Sequence, residues 1–221
     1  MSTAIAAYRE QLRQELAGLS KRVAPPSGNR ISLKGKVFTL PDGSSDKGPF
    51  AAVILDWRCV NRYYEGIYNS QSPKPPICWA TSKRVDDLAP GDDVKAPKAD
   101  SCDTCPMNEW GSSPTGKGKA CKNTRRLAVV PADATGDTEI MVLDVSPTGL
   151  KNFDNYVNSL GAGEHGQLPI EVVTHVGFNP AMDYPTLVFG RPEPITDEQL
   201  AVMMHLREKA QVALDAAISS E

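Results

Sequence analysis

Phe50-Ala51-Ala52-Val53-Ile54-Leu55-Asp56-Trp57-Arg58-Cys59-Val60-Asn61-Arg62-Tyr63-Tyr64 carries the strongest strand signal in the chain, built around the apolar stretch 51–57. Upstream of it, Ile31, Leu33, Gly35 and Val37 alternate with Ser32, Lys34 and Lys36, a period of two that predicts another strand. Leu40-Pro41-Asp42-Gly43 then supplies a turn. Further upstream, Ile5, Tyr8, Leu12, Leu16 and Leu19 stand near helical spacing and predict a helix over 4–22. The breaker Ala24-Pro25-Pro26-Ser27-Gly28-Asn29 makes that helix a detachable arm.

Downstream, 76–80 is short and strand-like, and 82–120 is a polar insertion rich in Asp, Pro, Gly, Ser and Lys. Such a segment buries too little apolar area to hold its own shape and needs a staple. Strands resume at 126–130 and 139–145. Ser146-Pro147-Thr148 announces a helix through Leu160, with Leu150, Phe153, Tyr156, Val157 and Leu160 on one face. Strands at 170–178 and 186–189 follow. A last helix runs from Thr196 to about Ile218, its Asp197 and Glu198 suited to the N-terminal dipole. Strands and helices do not alternate as in a parallel α/β fold. The expected class is mainly β (α+β), an antiparallel sheet or barrel of the oligonucleotide-binding (OB-like) type. The expected division is a helical arm at 1–24, an OB-like domain over 30–190 with an insertion at 78–121, and a C-terminal helix over 195–221.

The 221 residues carry 24 basic and 27 acidic side chains, a formal net charge of −3. Global charge therefore gives no attraction to nucleic acid, and any such binding must come from a local patch. No secretory signal opens the chain and no apolar run approaches about 18 residues, so a soluble, cytoplasmic protein without a membrane partner is expected.

Four of the five cysteines are spaced Cys78-x23-Cys102-x2-Cys105-x15-Cys121. In a reducing compartment such a set more often holds metal than forms disulfides. Four thiolates with no histidine in their span point to a closed, structural Zn2+ site. Cys59, in an apolar strand, is left for core packing. A second reading puts Cys78 in the core as well and leaves only the C-x-x-C special. A redox C-x-x-C is disfavoured, because no helix pattern follows it.

Lys117, Lys119, Lys122, Arg125 and Arg126 form a basic run with no acid among residues 117–130. Ordinarily this would be a solvated face. The aromatic neighbours Tyr63, Tyr64 and Trp110, with Arg62, add the stacking surfaces that single-stranded nucleic acid uses. Trp57 and Trp79 alternate with aliphatic residues and suit a core equally well. Gly111-Ser-Ser-Pro-Thr-Gly116-Lys117 matches seven positions of a P-loop, but Gly118 replaces the magnesium-binding Ser or Thr and no buried strand precedes it. His165, His175 and His205 are scattered; Asp56 and Asp144, at the ends of apolar strands, could hold magnesium in a DNA-processing enzyme but read more simply as strand-end polar residues. No catalytic constellation appears, so binding without chemistry is expected.

The order Tyr63-Tyr64-Glu65, Pro75-Pro76-Ile77-Cys78-Trp79-Ala80, Cys102-x2-Cys105-Pro106-x-Asn108-x-Trp110-Gly111-Ser112, Gly116-Lys117-Gly118-Lys119-Ala120-Cys121 and Arg125-Arg126-Leu127 resembles a group of phage and prophage proteins associated with single-stranded-DNA binding. The resemblance covers about residues 30–190. It implies an OB-like barrel with an inserted zinc loop held by Cys78, Cys102, Cys105 and Cys121, DNA contacts from nearby Lys, Arg and Tyr residues, and a role in DNA replication or recombination. Replication or recombination proteins and the cytoplasm of a bacterial host follow as expected partner and setting, and the amphipathic terminal helices suggest packing between protomers of a homo-oligomer. Where related phage replication proteins carry an acidic tail, this chain has an amphipathic helix with Leu200, Met203, Met204, Leu206 and Val212. The alternative function is a zinc-stabilised protein-interaction or virion-associated module that binds no nucleic acid.

Overall fold

The computed structural model describes residues 29–66, 74–162 and 166–215. Strand β3 (Phe50–Tyr63) is its axis, after the short pair β1 (Phe38–Thr39) and β2 (Ser45–Asp46). β3 is long enough to take two partners on one side. Its first residues pair with β7 (Val172–Phe178), from Phe50↔Val176 to Val53↔Val173. Its last residues pair with β4 (Cys78–Ser82), from Cys59↔Ser82 to Tyr63↔Cys78. On the other side β5 (Cys121–Pro131) follows it from Ala52↔Pro131 to Tyr63↔Cys121. β6 (Met141–Val145) lies outside β5 and β8 (Leu187–Pro194) outside β7, with every pairing antiparallel. The class is α+β, mainly β. Among the described residues the sheet is open, with β6 and β8 as edges. The outer edge of β6 is covered by the 29–31 segment, where Ile31 N–H donates to the Val142 carbonyl at 2.8 Å.

Alternation sorts the core into two layers. Ala52, Ile54, Leu127, Val129, Leu143, Val176 and Leu187 face one side and meet Phe153 of helix α1 (Leu150–Gly161). Trp57 packs edge-on against Phe153 at 5.5 Å, and so belongs to the core. Val53, Leu55, Ala128 and Val130 face the other side, against Met203, Leu206, Ala210 and Leu214 of helix α2 (Asp197–Leu214). A register shift between Ile54 and Asp56 resets the alternation, so that Asp56, Arg58, Val60 and Arg62 continue the α2 side of β3.

Helix α2 starts on a capping box: the Thr196 side chain accepts from the Gln199 amide, and the Gln199 side chain accepts from the Thr196 amide. Far from being an appendage, it closes one face of the sheet. Burying Met203, Leu206 and Leu214 contributes roughly 2 kcal/mol each by area removed from water. Met203, Leu206 and Leu214 are thus used within the chain, whereas Met204 and Val212 stay exposed. Helix α1 has Gly149 as its N-cap, without the expected side-chain cap from Ser146.

The alternation at 31–37 does not become a strand. Residues 34–36 form a 3-10 turn with Gly35 at φ 68° and Lys36 at φ 57°, while Ile31 is buried. The turn at 40–43 is present, its Gly43 amide donating to the Leu40 carbonyl at 2.9 Å. The helix expected over 4–22 lies outside the described residues.

Candidate metal and nucleic-acid site

Tyr63, near the end of β3, faces Cys78 across one flank and Cys121 across the other. These two cysteines therefore lie two strand spacings apart, about 10 Å between backbones, and on one face of the sheet. The 83–120 segment folds back over that face. Leu88 and Val94 are buried, and Leu88 joins Cys59, Ala80 and Cys102 in a small cluster. The Cys102 amide donates to the Leu88 carbonyl at 2.9 Å, which brings the C-x-x-C turn over the strand ends. Cys78, Cys102, Cys105 and Cys121, each 8–9% exposed, then line a single cavity of about 10 Å³ together with Asn61, Tyr63 and Asn108. All five cysteines are free thiols, and Cys59 packs beside the cavity.

Asn108 holds the turn. Its backbone N–H donates to the Cys105 carbonyl at 2.9 Å and its side-chain amide to the Cys102 carbonyl at 2.7 Å. Its Oδ1 accepts from Lys119 Nζ at 3.1 Å and from Asn123 Nδ2 at 2.9 Å, and Asn123 also donates to Asn61 at 2.6 Å. Asn61, Asn108 and Asn123 are positioning residues that the spacing of cysteines alone does not reveal. The signal was the asparagine three places after Cys105.

Burial pushes the Cys121 thiol up to about 12, helped by the neighbouring Cys102, Cys105 and Cys78 and opposed by Lys119. Burial also raises Cys102, against a hydrogen bond from Asn61. Four crowded thiols repel each other's ionisation, and a divalent cation is what removes that cost. The donor set suits zinc in its chemistry: four thiols line one small cavity, with a hydrogen-bonded shell of asparagines beside them. Among the described residues, no group of three or more His, Cys, Asp or Glu side chains is placed so that it could hold a metal ion.

The nine candidate nucleic-acid residues separate. Lys117 and Lys122 are exposed, Lys119 is half-buried, and Trp110 is 82% exposed. The Gly111 amide donates to the Gly118 carbonyl at 2.9 Å, closing a loop that brings the backbone of Trp110 opposite that of Lys119 and carries Lys117 on its returning limb, where the Lys117 carbonyl accepts from Ser113 Oγ at 2.8 Å. Gly116 and Gly118 sit at φ 69° and 87°, and neither a strand before nor a helix after gives this loop P-loop geometry. Arg125 lies beside Asp154, with 3.7 Å between the charged groups. Tyr63 is half-buried under Lys98, whose Nζ lies 5.8 Å from the ring centre, and Tyr64 is also half-buried.

Arg62 and Arg126 leave the set. They are 5% and 1% exposed and turn, with Arg30, to the carboxylate of Asp144, at 3.3 Å from Arg62 and 3.6 Å from Arg126. Asp56 has Arg58 at 3.7 Å and Gln211 at 3.1 Å. Both aspartates are thus occupied by cationic or amide partners, which argues against a magnesium site there. Among the described residues no helix is long and apolar enough to cross a membrane.

Comparison with protein-family models, with curated proteins and with solved structures finds no match.

Proposed function

We propose that this protein binds single-stranded DNA without chemistry, in the manner of phage-type replication and recombination proteins. The proposed scaffold is a sheet of the oligonucleotide-binding class carrying a zinc-stapled loop. Cys78, Cys102, Cys105 and Cys121 would hold the zinc, whose part is structural: it fixes the loop. The observation that carries the reading is the surface of that loop: an exposed Trp110 and an exposed Lys117 flank the Gly111–Gly118 closure, Lys119 Nζ reaches Asn108 at the cysteine cavity, and Lys122 Nζ reaches the Lys119 carbonyl at 3.1 Å. Cations along a backbone and an aromatic face under a base are the two ingredients of single-strand binding, and stacking contributes about 1–3 kcal/mol per base. Arg125, whose charge is offset by Asp154 at 3.7 Å, contributes less to this surface than the three lysines.

The exposure of Trp110 also favours the second reading, a zinc-stabilised module whose apolar knob docks on a protein. Tryptophan fluorescence separates the two. Titration with oligothymidylate quenches emission if Trp110 stacks, and Trp110→Ala abolishes the quench while weakening affinity about tenfold. Unchanged emission at saturating oligonucleotide would remove the DNA reading.

A further inference from the structure

At the far end of the same sheet lies a second concavity, lined by Lys47, Pro49, His175, Gly177, Phe178, Val188, Phe189, Gly190 and Arg191, with a volume of about 340 Å³. That is the small end of the range occupied by ligand pockets. It begins next to Phe50, whereas the cysteine cavity surrounds Tyr63, so nearly the whole of β3, about 40 Å of extended chain, separates them.

Three local features shape it. His175 and Gly177 alternate with the buried Val176, so they point away from the α1 layer. Gly190 pairs with His175, and a Cβ built on Gly190 meets nothing within 4 Å; one on Gly177 meets only Val188 Cγ2, at 3.7 Å. The two glycines therefore leave the floor open. Next, β8 spends one extra residue between Gly190 and Glu193, and in this bulge Arg191 adopts φ 47°. A bulge re-aims a side chain, and a left-handed arginine is strained backbone of the kind retained where a site uses it. Lastly, Lys47 and Arg191 have no carboxylate within salt-bridge distance among the described residues, while His175 Nε2 meets Glu193 at 3.1 Å. Lys47, Arg191 and His175 thus share the polar wall with one carboxylate, and Pro49 and Val188 form the apolar one; Phe178 and Phe189 also border the concavity, but their rings turn to the α1 layer with their partners Leu187 and Val176.

A lysine point charge with the planar fork of an arginine suits a dianionic phosphate, and the apolar wall suits a flat ring. We propose that this concavity binds a phosphomonoester carried on a planar ring, of the nucleoside-monophosphate class. It does not depend on the zinc loop or on the DNA surface.

The test is amide chemical-shift titration of the full chain with thymidine 5′-monophosphate, thymidine and inorganic phosphate, up to about 10 mM. The monophosphate should move the Gly177 and Gly190 amides saturably, and the other two should bind at least about tenfold more weakly. Arg191→Gly removes the guanidinium and relieves the left-handed strain, so its Tm should equal or exceed that of the parent while affinity falls about tenfold or more. Gly190→Val should fill the floor and block binding equally. Competition with a 5′-phosphorylated oligothymidylate identifies the source. Displacement by it, and not by the unphosphorylated strand, indicates a strand end; displacement by neither indicates the free nucleotide, and both results support the site. No shift at these glycines, an equal response to thymidine or to phosphate, equal displacement by the unphosphorylated strand, or unchanged affinity in both variants would overturn it.

Discussion

Asp144 shows at single-residue resolution why the basic run divides. On β5, Lys122, Thr124 and Arg126 point to one face and Cys121, Asn123 and Arg125 to the other, so five cations close in sequence cannot form one surface. Arg126 and Arg62 are instead drawn into the α2 side of the sheet, where Asp144 faces them and Arg30. Removing one partner of a buried ion pair costs more than the pair itself gains, because the remaining charge stays desolvated. Asp144→Ala should therefore lower unfolding free energy by about 3 kcal/mol in urea; a loss below about 1 kcal/mol would show a solvent-screened pair. Tyr156 makes a second prediction. Burial raises its pKa, against the opposing hydrogen bond to Thr174 at 2.8 Å. The fold thus favours the neutral phenol, so above about pH 10 the unfolded chain ionises first. This part of the stability is complete below that pH and lost as pH rises through the higher folded value. Tyr156→Phe should flatten the alkaline limb of a Tm-against-pH curve; an unaltered limb would exclude Tyr156 as its source.

The elements differ in how plainly the sequence announces them. β3, β5, β6, β7 and both described helices follow from apolar periodicity, and the Thr196 cap follows from Thr-x-x-Gln. The 31–37 segment misleads because alternation is only permissive: two consecutive residues with positive φ end any strand, whatever the side-chain pattern. Helix α2 reads as an appendage because an amphipathic stripe does not say what it packs against. The informative signal was the unbroken apolar run 51–55, which marks a strand covered on both faces and therefore requires a second layer. The four-cysteine cavity was legible from spacing, whereas the Asn61–Asn108–Asn123 shell needs the strand register to bring it together. The 83–120 loop has few apolar residues beyond Leu88 and Val94, so its order should depend on the metal. Chelation should accelerate amide hydrogen exchange across this loop by at least about tenfold and leave the centre of β3 protected. Uniform protection after chelation would mean that the loop stands on its own contacts.

For the whole molecule, a net charge of −3 means that the proposed single-strand binding would be carried by a few lysines rather than by the overall field. Lys117, Lys119 and Lys122 set a small expected electrostatic contribution. With three phosphates neutralised, the logarithm of the binding constant should fall against the logarithm of salt with a slope of about −2. The decisive measurement is fluorescence anisotropy of a labelled oligothymidylate of about 30 nucleotides across a salt series, on protein with its zinc content determined. One zinc per chain, a slope near −2 and a shallower slope in Lys122→Ala are expected on the reading of a zinc-stapled single-strand binder. No binding at low salt, or a slope that Lys122→Ala leaves unchanged, would contradict it.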